Sequence, residues 1–329
     1  MSALPSFGVD VGGSAVKWAL LEGDAVVDSG SERTPPAGGD AVVELVTQLA
    51  RGPGLSGTTV GVGVPGHVER RSGTVLLMPN VPGEWTGLAL GEQLRARLGR
   101  PVHVLNDARA LGLAELRLGA AAHRRDVVFA ALGTGVGGAV AIDGQILSSR
   151  RDSAGELGHL TVDPDGLPCG CGGRGCLETV ASAPALVAAA ARAVLLGHSP
   201  ALSRATGGSL DRLTAAAVTE AASAGDEVCL RIVERAGRAL GVALGNVCAL
   251  LTLDTVVIGG GAHGAIDLLL PLVAQQVATR ASLVPGITVL PAALGPQAGA
   301  VGAALFARES ARDLRASARP KEPSRAVDR

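Results

Sequence analysis

Phe7-Gly8-Val9-Asp10-Val11-Gly12-Gly13-Ser14-Ala15-Val16-Lys17-Trp18-Ala19-Leu20-Leu21-Glu22-Gly23-Asp24-Ala25-Val26-Val27-Asp28-Ser29 sets a pattern that returns later in the chain. Phe7–Asp10 reads as a short apolar strand, Gly12-Gly13-Ser14 as a turn and Val16–Leu21 as a second strand. Glu22-Gly23-Asp24 then turns into a third strand, Ala25–Ser29. The same layout recurs in Val127–Leu132, the turn Gly133-Thr134-Gly135-Val136-Gly137-Gly138, Ala139–Ile142, the hairpin signal Asp143-Gly144 and Gln145–Leu147. Two such meanders predict two related domains. In each, the first turn can cradle phosphate, because glycine lets backbone N–H groups converge on an anion with no Cβ in the way.

The rest of the chain reads as α/β. Helices are expected over Asp40–Ala50, Leu88–Leu98, Ala108–Leu118, Pro184–Leu196, Asp226–Leu250 (as one helix or two) and Ala298–Ser310. Strands are expected over Thr59–Val64, Val102–Leu105, Thr255–Ile258 and Ile287–Pro291. Gly197–Gly208 reads as loop, and a helix is expected after Gly259-Gly260-Gly261. Ala108–Leu118 is expected to cross between the domains. The tail after Ala311 is polar, carries Pro320 and Pro323, and is expected to be disordered.

Composition excludes several classes. The 329 residues suggest two domains. Aromatics are only 2% and Tyr is absent, so the cores must be built from Ala, Val and Leu. A formal charge of −1 supplies no basic field for nucleic acid or an anionic membrane. No signal peptide is read at the N-terminus, and no run of about 18 apolar residues free of turn signals is present. Five cysteines, three of them between Cys169 and Cys176, resemble metal ligands in a reducing compartment more than a disulfide framework. A cytoplasmic protein is expected.

Chemistry concentrates at a few places. Neither the Walker A nor the Rossmann pattern is present, since the first two Gly-rich turns lead into strands rather than helices. Asp10, ending a buried strand beside the first turn, can hold water on Mg²⁺, or simply cap the turn. Asn106-Asp107 ends a strand and begins a helix. Both residues are ordinary N-caps, yet phosphoryl transfer also needs a carboxylate to orient and deprotonate the attacking hydroxyl. His159, Cys169, Cys171 and Cys176 have the count and type of a structural Cys₃His Zn²⁺ site, with glycines that let the loop wrap the ion. Cys229 and Cys248 lie on apolar helices and read as core. A zinc knot would bring Glu156 and Glu178 close together, as two carboxylates suited to a polyol or as solvated side chains.

The motifs Asp10-Val11-Gly12-Gly13-Ser14, Val64-Pro65-Gly66, Pro79-Asn80, Asn106-Asp107 and Leu132–Gly138 occur in an order that resembles the ROK family of repressors and kinases, especially its bacterial glucokinases. So do Gly155-Glu156-Leu157-Gly158-His159, Cys169-Gly170-Cys171-Gly172-Gly173-Arg174-Gly175-Cys176-Leu177-Glu178 and Ile258-Gly259-Gly260-Gly261. The resemblance runs from Gly8 to Ala307 and implies an actin-like ATPase (ribonuclease H-like) fold of two domains with a cleft between them. A small domain would comprise residues 1–108 with the helix at 298–311, a large zinc-binding domain residues 109–297, and a tail residues 312–329.

The same resemblance implies an ATP- and Mg²⁺-dependent kinase acting on the 6-hydroxyl of a hexose, with glucose the first choice and Asp107 the base. Gly66, Asn80, Asn106, Asp107, Glu156, His159 and Glu178 would hold the sugar, with His159 shared between sugar and zinc. Asp10, Gly12, Gly13, Ser14, Gly133, Thr134, Gly135, Gly260 and Gly261 would hold nucleotide and magnesium. A homodimer is the common assembly of such relatives.

The chain departs from the family spelling at Ser14-Ala15, with Lys17 displaced, in a form that resembles polyphosphate-using glucokinases lacking the zinc cluster. Ala139 stands where another Gly is common, and Glu84 interrupts the usual Gly-Trp after Asn80. Other acceptors to weigh are an aminosugar, an N-acetyl hexosamine or a cyclitol. A sugar-responsive regulator is disfavoured, since Asp10 leaves no room ahead of it for a helix-turn-helix. A zinc-finger nucleic-acid binder is disfavoured by the neutral charge.

Overall fold

Short β-branched runs bounded by glycine turns make the central strands, and their burial on both faces shows in the structure. A computed structural model describes residues 5–317, apart from positions 53, 80, 150, 151 and 262. The first half contains β1 (Ser6–Val11), β2 (Ala15–Glu22), β3 (Ala25–Arg33), α1 (Gly39–Ala50), β4 (Thr59–Val64), the small hairpin β5 (His67–Val68) and β6 (Val75–Leu77), α2 (Leu90–Leu98) and β7 (Val102–Asn106). The helix α3 (Asp107–Leu118) leads into the second half. There follow β8 (Val127–Leu132), β9 (Val136–Ile142), β10 (Gln145–Ile146), α4 (Glu178–Ala181), α5 (Ala183–Leu195), α6 (Pro200–Thr206), α7 (Ala215–Ser223), α8 (Glu227–Leu251), β11 (Thr255–Gly260), α9 (His263–Arg280), β12 (Thr288–Pro291) and α10 (Ala298–Ser317).

The expected repetition is present as topology. One sheet has the order β3-β2-β1-β4-β7 and the other β10-β9-β8-β11-β12. In each, an antiparallel meander is extended by two parallel strands: β1 runs parallel to β4 and β4 to β7, as β8 does to β11 and β11 to β12. All six residues of β4 are buried, whereas β3, at the edge, is almost wholly exposed. Separate apolar clusters serve the two sheets. Val9, Val62 and Val104 pack with α1 and α2, while Val128, Val256 and Ile258 pack with α5, α7, α8 and α9.

Three expectations need correction. Gly197–Gly208 is not all loop: Ser199 caps α6 by accepting from the Leu202 N–H, Pro200 fits its first turn, and left-handed Gly207 stops it. The second Gly-rich turn ends at Gly135, because Gly137 and Gly138 pair with Ala131 and Ala130 inside β9. The last helix continues past Ser310 to Ser317, with no Gly or Pro to end it, so residues 312–317 are helix and not part of a tail; residues 318–329 lie outside the described residues.

Two helices tie the halves together. α3 follows β7 but packs on the second sheet, where Gly112 fits against Phe129 and Ala139. α10 follows β12 but returns to the first sheet and to α3. Its approach is close enough that a Cβ on Gly8 would overlap the Ala300 carbonyl, one on Gly61 the Ala303 carbonyl, and one on Gly302 the Ala110 carbonyl of α3. An ordinary Gly-to-Ala change inside a helix stabilises by about 1 kcal/mol. Gly302→Ala is expected to do the opposite, lowering the denaturation midpoint, because the new methyl must push α3 and α10 apart. A raised midpoint in urea would show that the crossing tolerates a side chain.

Candidate active site

Parallel register places several of the candidate residues at the carboxyl ends of the strands. In the first sheet Asp10 is level with Gly63, and Val64 with Asn106, so Asp10, the Pro65-Gly66 turn and Asn106-Asp107 share one edge. In the second sheet Gly260 is level with Leu132, which sets the Gly133–Gly135 turn beside Gly260-Gly261 at the start of α9. The halves meet where Gly137 lies against Ala108, close enough that a Cβ would stand 2.7 Å from the alanine methyl.

Asn106 is a true N-cap, and this leaves the functional reading intact. Its Oδ1 accepts from the Arg109 N–H at 3.1 Å, while its Nδ2 donates to the Gly66 carbonyl at 3.1 Å. Asp107 is the first helical residue, and its Oδ1 accepts from the Ala108 N–H at 2.7 Å. Burial raises the Asp107 carboxyl above its ordinary range, against the lowering effect of the Ala108 and Asp107 backbone N–H groups and of Arg109; nearby Glu156 adds to the rise. Asp10 is enclosed by Gly63 and by Gly299 in the first turn of α10. Burial, helped by the negative charge of Asp107 and opposed by Lys17, pushes Asp10 up to about 7.

The first two Gly-rich turns are closed by backbone hydrogen bonds. Gly12 N–H donates to the Ala15 carbonyl at 2.9 Å, and Thr34 Oγ1 donates to the Gly12 carbonyl at 2.6 Å, so the loop after β3 braces Gly12-Gly13-Ser14. Gly133 N–H donates to the Gly135 carbonyl at 3.0 Å, with Thr134 exposed at the tip. Gly260 has φ +104, and any Cβ there would overlap the Leu132 carbonyl. A side chain at this position would block the joint between β11 and α9.

Glu156 sits between His67, whose Nε2 is 3.0 Å from Oε1, and His159, whose Nε2 is 4.0 Å from Oε2. His159 turns its Nδ1 toward Cys169 Sγ at 3.7 Å. One ligand atom each from His159, Cys169, Cys171 and Cys176 lie within 4.8 Å of one another. Cys171 and Cys176 sulfurs are 3.7 Å apart. Two thiolates about 2.3 Å from a tetrahedral Zn²⁺ would stand about 3.8 Å apart, so the donor set fits that ion. Glu178, at the start of α4, accepts from the Val136 N–H at 3.0 Å and therefore joins α4 to the end of the second Gly turn. Asn80 lies outside the described residues.

Sequence motifs did not point to three participants. Arg109 and Asp152 form a buried ion pair directly behind Asn106, and His67 holds Glu156. His67 follows Val64-Pro65-Gly66, and only this adjacency could have flagged it. Asp152, 46 positions from the Asn106 N–H that it accepts, had no local signal.

Residues 6–310 match the family model described as ROK family. The chain belongs to the ROK family. It is 32% identical over 311 residues to the glucokinase of Streptomyces coelicolor, covering 92% of this chain and 98% of the relative. It is 30% identical over 310 residues to the N-acetylmannosamine kinase of Citrobacter koseri, covering 93% of this chain and 99% of the relative. The crystal structure of a ROK family glucokinase from Streptomyces griseus in complex with glucose and AMPPNP superposes with a TM-score of 0.81 at 32% identity, over 93% of this chain and 99% of that one. The actin-like ATPase fold of ROK sugar kinases is therefore the fold of this chain.

Asp10 carries a pH dependence with a definite sign. The unfolded chain loses this proton near 3.8 and the folded chain near 7. Between those values only the native state holds the proton, so stability falls as pH rises through the window. Asp10→Asn should raise the thermal midpoint of the ligand-free protein, with a gain larger at pH 8 than at pH 5 and on the order of a few kcal/mol at most. Equal gains at both pH values would contradict a raised Asp10.

Proposed function

We propose that this ROK family chain is an ATP-dependent hexose kinase that transfers the γ-phosphoryl group to the 6-hydroxyl of glucose, with Asp107 as general base. The observation that carries the reading is the position of Asp107. It stands at a helix start on the shared strand edge, beside Asn106 and Glu156 on the sugar side and Asp10 on the phosphate side. Its raised carboxyl is a better proton acceptor than a free aspartate, as a base for an alcohol requires. Family membership and the glucose and AMPPNP bound by the S. griseus relative support the acceptor and the donor.

The side chains divide as follows. Asn106, Glu156, His159 and Glu178, with the Gly66 backbone and Asn80, hold the sugar hydroxyls. Gly12, Gly13, Ser14, Gly133, Thr134, Gly135, Gly260 and Gly261 line the nucleotide phosphates, with open space where a Cβ would stand at Gly133 and Gly261. Asp10 would hold Mg²⁺ through its water, and the ion would neutralise phosphate charge. His159, Cys169, Cys171 and Cys176 would hold Zn²⁺ with no position left for substrate, so the ion would serve to fold the loop that presents Glu156, His159 and Glu178.

Residues 1–108 with the last helix form the small lobe and residues 109–297 the large one, acting as a homodimer in the cytoplasm. Among the described residues no single helix is long and apolar enough to cross a membrane. A second acceptor class, N-acetyl hexosamines, is favoured by the similarity to the C. koseri kinase.

A coupled assay of glucose, glucosamine, N-acetylmannosamine and inositol, with ATP and with polyphosphate, tests substrate and donor together. Asp107→Asn should lower kcat with the best sugar by about 10²–10⁴-fold while sugar affinity stays within a few-fold, since the amide keeps the shape but cannot take the proton. Wild-type kcat in that variant would overturn the base. Metal analysis should find close to one zinc per chain, and Cys171→Ser should lower zinc content and weaken sugar binding while ATP binding survives. Normal sugar affinity in zinc-depleted protein would separate the metal from the sugar site.

A further inference from the structure

Behind Asn106-Asp107 lies an ion pair that is almost wholly buried. Arg109 and Asp152 are 2% and 3% exposed, and the guanidinium Nη2 meets Asp152 Oδ2. The same Oδ2 accepts from the Asn106 backbone N–H at 2.9 Å. Arg109 Nη1 donates to the Ala154 carbonyl at 3.4 Å, and the Arg109 backbone N–H is bound to Asn106 Oδ1. One carboxylate and one guanidinium thus join the end of β7, the first turn of α3 and the segment that runs through Gly155 to Glu156. Asp152 sits at φ +49, in the left-handed region that a non-glycine residue occupies only when its surroundings enforce it.

Stability is a poor explanation for this pair. The cost of taking two charges out of water offsets their attraction, so apolar residues of similar volume commonly serve a core as well. What the pair supplies is a fixed geometry, and it does so at the two segments that carry the base and Glu156. It also supplies a charge. Asp107 is faced by Glu156 from the segment after β10, which disfavours its ionised form, and Arg109 on its own helix opposes it; Asp107 in turn disfavours the ionised form of Asp10 on β1. Lys17 on β2 acts on Asp10, and Asp152 partners Arg109.

We propose that Arg109 and Asp152 are positioning residues for the general base, holding Asn106-Asp107 and the Ala154–Glu156 segment in one arrangement with a cation kept beside the Asp107 carboxylate. This rests on the reading of Asp107 as the base. Truncating one partner would leave a lone buried charge and could unfold the protein, so the informative variant is Arg109→Met/Asp152→Met, which removes both. It should stay folded by circular dichroism and thermal melting, with KM for glucose within about three-fold of wild type and kcat lowered roughly 10–100-fold, as a small misplacement of a base costs.

Loss of the cation should also move the acidic limb of the kcat/KM profile to higher pH, because a base that is harder to ionise becomes competent later. Arg109→Lys keeps the charge but not the fork, and should lower kcat with the limb left in place. A folded double variant with kcat within two-fold of wild type and an unmoved limb would overturn the proposal. Asp107→Asn assayed in parallel separates the two ideas. If it is inactive while the double variant behaves as wild type, the positioning role fails and the base stands; if it retains turnover, the base fails and the positioning role fails with it.

Discussion

The closeness of α10 to β1, β4 and α3 is the constraint on which the rest of this molecule depends. Each sheet has its own apolar core, so nothing in either core specifies how the two halves meet. That is left to α3 and α10, which exchange places between the sheets and cross on the Gly302–Ala110 contact. Glu115, fully buried on α3, strengthens the crossing. Its carboxylate accepts from the backbone N–H groups of Ala293 at 3.0 Å, Leu294 at 2.9 Å and Ala120 at 2.8 Å, which anchors the link from β12 to α10. A buried carboxylate satisfied by three N–H groups is a directional tie, unlike the packing around it.

The site inherits its geometry from that crossing. α3 begins at Asp107, and α10 begins against Asp10 through Gly299, so both acidic groups are placed by the starts of the two exchanged helices. The second sheet reaches the same spot by small residues. Gly137 sits on Ala108, and a Cβ on Gly138 would overlap the Gly155 carbonyl, which lays the Glu156 segment onto β9. A cleft in which one sheet presents acids and the other presents open backbone turns suits the transfer of a highly charged group, where positioning and charge compensation supply most of the catalysis.

The twin meanders were legible because strand, turn and strand each leave a local trace, and the Cys₃His cluster because Cys-x-Cys spacing does. At Asn106 the capping interpretation from sequence holds, and the same side chain also ties Gly66 to the helix start. α6 carried readable signals in Ser199-Pro200 and Gly207, but the density of Gly and Ser around it mimics a loop. The Arg109–Asp152 pair and the Glu115 anchor could not have been seen. Each joins residues far apart in the chain, and nothing local distinguishes a buried Arg or Glu on an amphipathic helix from a solvated one.

The exchange of helices also bears on how the chain acquires its structure during synthesis. β1 is among the first elements to leave the ribosome, yet the face of its sheet around Gly8 and Gly61 is closed by α10, which is made last. Until then the first sheet has α1 and α2 on one side and bare glycine, alanine and leucine (Gly8, Gly61, Ala19 and Leu21) on the other. The second sheet, whose helices α5 to α9 lie between its own strands or just before them, can consolidate earlier. Such long-range closure makes folding slow and leaves apolar surface open while translation proceeds, so the nascent first lobe is the part of this protein that most needs shielding from association.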